Sequence, residues 1–109
     1  MKYPYIIVWE EPIWMMAAKL MLSDHNVIQL PLEDAKRLLK EFKRLTLGLE
    51  IEFTLHHGKD TSVTFWRLDD KFFIKVNDQS PLELSAESIQ LMSDRLKESI
   101  DMREHPQTE

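Results

Sequence analysis

Two periodicities divide this chain. Between residues 32 and 45 the apolar side chains Ala35, Leu38, Leu39, Phe42 and Leu45 recur every three or four positions, the spacing of one face of a helix. Between residues 49 and 77 the spacing changes to strict alternation: Ile51, Phe53 and Leu55, then Val63 and Phe65, then Phe72, Ile74 and Val76. Alternation broken by "HGKD" and by "DD" predicts a meander of three strands, with Ile51, Phe53 and Leu55 on one face. If Val63, Phe65, Phe72, Ile74 and Val76 point into the core, Trp66 and Phe73 point the opposite way. "PLEL" (81–84) reads as a short extension. Helical spacing returns at Ile89, Met92, Leu96 and Ile100. Ser85 is suited to cap that helix, Glu87 favours its first turn, and the pattern runs to about Met102.

The N-terminal third is less regular. "YPYIIVW" (3–9) and "NVIQL" (26–30) have the β-branched and aromatic content of strands. Between them, "PIWMMAAKLML" (12–22) opens on a proline suited to a first helical position and continues with good helix formers. It reads as a helix that is apolar nearly all round and therefore buried. A hairpin of 18–22 with 27–30 around "SDHN" is the competing reading. As a helix, the segment would cover the second face of the sheet, over Trp66 and Phe73. Burial of Trp14, Met15 or Leu20 there would stabilise the fold by about 1.5–3 kcal/mol each. Three consecutive strands after Gly48 favour segregation of strands from helices. The expected fold is α+β: a mostly antiparallel sheet, made of the 49–77 meander plus N-terminal strands, packed with two or three helices. Residues 1–103 are expected to form one domain and residues 104–109 a loose tail.

Composition narrows the classes. A chain of 109 residues with 43% hydrophobic and 30% charged content can build one core without staples. There is no cysteine, so disulfides, thiolate metal sites and cysteine nucleophiles are excluded, and a cytoplasmic location is expected. With only two glycines, the turns must rely on Asp, Asn, His and Pro. The apolar run of 12–22 is about half a membrane span, and Glu10 and Glu11 separate it from the run before it, so no membrane partner is expected.

Charge is uneven along the chain. The net charge is −5, yet residues 31–48 carry five cations against three anions, and residues 78–109 carry three against eight. At about 100° per residue, Lys36, Lys40 and Lys43 share one helix face and Arg44 flanks it, beside Arg37. On the last helix Glu87, Asp94, Glu98 and Asp101 fall within about 60°, opposite the buried stripe, with Leu91 and Met102 at the border. Both rows read first as solvated faces. The acidic row, with Leu91 as an apolar anchor, is also the stronger candidate for docking a protein, and its carboxylates could imitate a phosphate backbone. The basic row of Lys36, Lys40, Lys43 and Arg44 could grip an anionic partner, although overall acidity disfavours nucleic acid. The two rows also admit pairing between copies as a homodimer.

Signatures of catalysis are thin. His56 and His57 with Asp60 could bind a metal or move protons, but neighbours on a strand point to opposite faces. There is no glycine-rich phosphate loop, no nucleophile elbow and no H-E-x-x-H. No catalytic residue, cofactor or metal is therefore expected. Trp66 and Phe73, near Arg67 and Lys75, could stack bases, though Glu50 and Glu52 lie close in sequence. The expected function is a small, acidic, non-enzymatic protein-binding module: an inhibitor, immunity-type or adaptor protein of the kind phages and mobile elements encode. The alternatives are nucleic-acid binding through the basic face or the sheet aromatics, and a small enzyme using His56 or His57.

Overall fold

The computed structural model describes residues 3–8 and 16–104. In chain order the elements are β1 (Tyr5–Val8), β2 (Met16–Ser23), β3 (Asn26–Pro31), α1 (Leu32–Thr46), β4 (Glu52–His57), β5 (Thr61–Leu68), β6 (Lys71–Val76), β7 (Leu82–Leu84) and α2 (Ala86–Glu104). They form two antiparallel sheets, one of order β1-β2-β3 and one of order β4-β5-β6-β7, with two helices. The fold is α+β, as the pattern predicts, but the N-terminal strands make a sheet of their own rather than joining the meander.

The segment 12–22 does not form the expected helix. From Met16 onward it is the central strand β2, while residues 12–15 lie outside the described residues. Ala18, Leu20 and Leu22 are buried, whereas Lys19, Met21 and Ser23 are half-buried. That alternation is the signature of a strand, and pairing with β1 and β3 overrides the weak helical preference of Ala, Met and Leu. The turn at Asp24–His25 is the hairpin of the competing reading. Nor does β2 lie over Trp66 and Phe73. Its buried side faces α1 and α2, and the expected lid is not formed by the described part of this segment.

One irregularity in β2 anchors α2. The pairing shifts between Met16 and Ala18, so Ala17 is a bulge residue opposite the junction of Leu30 and Pro31. A bulge leaves a backbone group outside the ladder, and a buried one needs another partner. Ser99, the one buried polar residue among those described, donates its hydroxyl to the Ala17 carbonyl at 2.8 Å.

The helices follow their sequence signals closely. Gly48 adopts φ +76° just past α1. Its N–H donates to the Leu45 carbonyl, and that of Leu49 donates to Arg44 at 2.9 Å, the paired bonds of a Schellman cap. At the start of α2 the Ser88 N–H donates to Ser85 Oγ at 3.0 Å, the expected N-cap. The stripe Ile89, Met92, Leu96 and Ile100 is buried. The helix runs through Glu104, which the sequence reading assigns to the tail; residues 105–109 lie outside the described residues.

Phe42 of α1 is the hinge of the core. Its ring meets Phe65 edge-on at 5.0 Å and Phe53 at 5.8 Å, and those two stack at 5.1 Å. α1 therefore packs on the four-stranded sheet while also touching β2 and β3. All five meander residues expected inside are buried. Ile51 is not: it precedes the first strand residue and is 73% exposed. The turns use left-handed Asp69 (φ 57°) and Asn77 (φ 50°) where glycine is scarce.

Candidate functional site

The two charged helix rows are neighbours in space. Lys36, near the start of α1, meets Glu104 at the end of α2 at 2.9 Å. At the other end of the helix pair, Lys43, Thr46 and Leu47 share a groove of about 300 Å³ with Gln90, Asp94 and Lys97. The helices are thus antiparallel, and the basic row borders the acidic one.

α1 spends much of its charge on the fold. The hydrogen bond to Glu104 raises the Lys36 pKa; desolvation opposes it, and the charges of Glu104 and Glu33 add to the rise. Arg44 departs from the lysine row to approach Glu50 Oε2 at 3.6 Å, beyond hydrogen-bond range. That oxygen is buried without a hydrogen-bond partner. The Glu50 pKa is nevertheless raised, because the Glu41 carboxyl lies beside it and burial disfavours its charge; Arg44 and Arg37 oppose the shift and lose. Lys40 and Lys43 remain exposed.

α2 keeps its row in solvent. Glu87, Leu91, Asp94, Glu98 and Asp101 are all exposed. Leu91 is 49% and Met102 45% exposed, while the helix's other large apolar side chains are buried. The row is braced along its own helix: Gln90 donates to Asp94 Oδ1 at 2.9 Å, and Arg95 meets Glu98 Oε2 at 3.2 Å.

Among the described residues, no helix packs on the outer face of the four-stranded sheet. Trp66 and Phe73 stack there at 5.5 Å, both half-buried. Cross-strand pairing sets them in a row that reads Glu52, Trp66, Phe73, Glu83. A carboxylate therefore stands at each end of the aromatic pair, and Glu83 is met by Lys71 at 3.7 Å. A shallow groove of about 480 Å³ runs beside them, lined by Thr64, Lys75 and Asn77 among others. Arg67 serves the fold: its guanidinium donates to the Leu45 and Thr46 carbonyls at 3.2 and 2.8 Å and lies over the Phe72 ring. A cation there complements the C-terminal end of α1, a role that sequence spacing does not disclose.

His56 and His57 are exposed at the end of β4, point to opposite faces and line neither groove. Among the described residues no cluster of His, Asp and Glu could hold a metal ion. No helix of the described residues is long and apolar enough to cross a membrane. The chain matches no protein-family model, no curated protein and no solved structure.

Proposed function

We propose that this chain is a small, non-enzymatic protein-binding module, an inhibitor or adaptor by mode of action, that docks through the outward face of α2. Glu87, Asp94, Glu98 and Asp101 would meet lysines and arginines of a partner, and Leu91 would enter a shallow apolar site among them. The observation that carries this reading is the exposure of Leu91 and Met102 within a carboxylate row whose remaining apolar neighbours are all buried. Charged rims steer and select partners, while a central apolar anchor supplies affinity. A cytoplasmic setting belongs to the same proposal and accords with a chain that contains no cysteine.

The nucleic-acid alternative is weaker on two counts. Carboxylates flank the aromatic pair, and two members of the basic row, Lys36 and Arg44, already face carboxylates of this chain. The enzyme alternative has two solvent-exposed imidazoles with no groove between them.

Affinity capture with mass spectrometry tests the docking proposal, comparing wild type with an Asp94→Lys/Glu98→Lys variant whose fold is checked by circular dichroism. The variant should lose a specifically captured partner by roughly tenfold or more. Equal retention of every captured protein by both chains would remove the α2 face from consideration.

A further inference from the structure

A strand at a sheet edge presents unpaired N–H and C=O groups, and folded chains ordinarily blunt such edges. Here β1 follows Pro4, β3 ends on Pro31, and β7 is a three-residue strand that follows Pro81. Among the described residues, β4 is covered by no further strand, and Glu52 is its one carboxylate. The strand is six residues long, contains neither proline nor lysine, and pairs with β5 in unbroken register.

The hydrogen-bond phase of β4 shows which groups face outward. The Arg67 N–H donates to the Ile51 carbonyl at 2.8 Å, and Asn77 donates to Ser62 at 2.9 Å. In an antiparallel ladder bonded positions recur every second residue. Ile51, Phe53, Leu55 and His57 therefore direct their backbone groups to β5. Glu52, Thr54 and His56 direct theirs to the edge that no described strand occupies. The side chains of those same three residues lie on the outer face, as the buried Phe53 and Leu55 require.

We propose that β4 pairs with β4 of a second copy of this chain, antiparallel about a two-fold axis at Thr54, joining two four-stranded sheets into one. Only that centre engages every outward group: Thr54 bonds its counterpart, and Glu52 bonds His56 of the second copy in both directions. It also sets each Glu52 carboxylate beside an imidazole rather than another carboxylate. A centre at Glu52 would oppose two carboxylates, and a centre at His56 would leave Glu52 without a partner. Two-fold symmetry demands such self-complementarity of a single surface. On the inner face Phe53 then lies across from Leu55 of the second copy. Ile51, which the fold leaves 73% exposed, lies across from His57. This surface is separate from the α2 face, and either can fail without the other.

Sedimentation velocity of the full chain tests the pairing, at loading concentrations from about 5 to about 500 µM, a window suited to a small interface. Wild type should pass from monomer to dimer across it. Thr54→Pro removes an N–H that the β4–β5 ladder does not use, and proline is tolerated on an edge strand. It should therefore stay monomeric throughout with a wild-type circular dichroism spectrum. Glu52→Lys sets an ammonium beside His56 of the second copy and should weaken dimerisation at least about fivefold. Adding His56→Glu should restore it. A wild type that remains monomeric at the highest concentration overturns the proposal, as does dimerisation untouched by Thr54→Pro or by Glu52→Lys. If Thr54→Pro fails to fold, the loss with Glu52→Lys and its recovery in the double variant decide the matter.

Discussion

The two helices begin from the same kind of pattern and end in different roles. Each has an apolar stripe and a row of like charges opposite it. In α1 half of the row is drawn into the fold: Lys36 goes to Glu104 and Arg44 toward Glu50, while the helix's last carbonyls are capped by Arg67. In α2 the row stays in solvent with Leu91 and Met102 beside it. A charged face read from sequence is therefore only a solvated face until its neighbours are known. What separates a structural charge from an available one is whether the fold already supplies its counter-charge.

The largest effect should come from the buried side of α1. Phe42→Ala removes the ring that joins α1 to Phe53 and Phe65 and should destabilise the fold by about 3–5 kcal/mol, measured by urea denaturation. The charge reversals on α2 should shift the same midpoint by no more than about 0.5 kcal/mol. A Phe42→Ala loss below about 1 kcal/mol would break the comparison, since α1 would then be no more structural than the face of α2.

A smaller effect sharpens it from the other side, because α2 also has a structural face. Ser99→Ala leaves the Ala17 carbonyl at the β2 bulge without its donor and should cost about 1–3 kcal/mol. Ser93→Ala, on the half-buried groove side of the same helix, is the control. If the two substitutions cost the same, the bulge contact contributes little and α2 is held by its apolar stripe alone.

How far these roles could be read from sequence depended on how local their causes are. The α1 stripe, its glycine cap, the Ser85 N-cap and the inward set of the meander are all settled within a few residues, and all are found where the pattern puts them. Residues 16–22 depart from their local pattern because helical preference is a local property, whereas their strand pairing depends on residues 5–8 and 26–31. Ile51 fits the alternation, yet it falls one residue before the strand starts, outside the cover of α1. Arg67 and Ser99 act on backbone carbonyls 21 and 82 residues away in sequence. No spacing rule reaches that far. For the candidate site, the α2 row was legible because a helix face is a local property. The edge of β4 was hidden, because being an edge depends on where every other strand goes.

The finest distinction between the helices concerns Glu50, whose side chain is 26% exposed beneath α1. Its neighbour Glu41 and its burial raise its pKa in the folded state, so the folded chain binds this proton more tightly than the unfolded chain does. Stability must then fall as pH rises from below the unfolded carboxyl value, about 4.3, through the raised folded value, and level off beyond it. Glu50→Gln keeps the shape and removes the titration. The variant should melt above wild type at neutral pH, by a margin equivalent to less than about 1 kcal/mol once solvent screening and the loss of the long Arg44 contact are allowed for. The margin should shrink toward zero as pH is lowered past 4.3, where both states of the wild type carry the proton. Glu98→Gln, on the exposed row of α2, is the control for removal of a surface carboxylate. If Glu50→Gln melts below wild type at neutral pH, Arg44 rather than Glu41 governs the site.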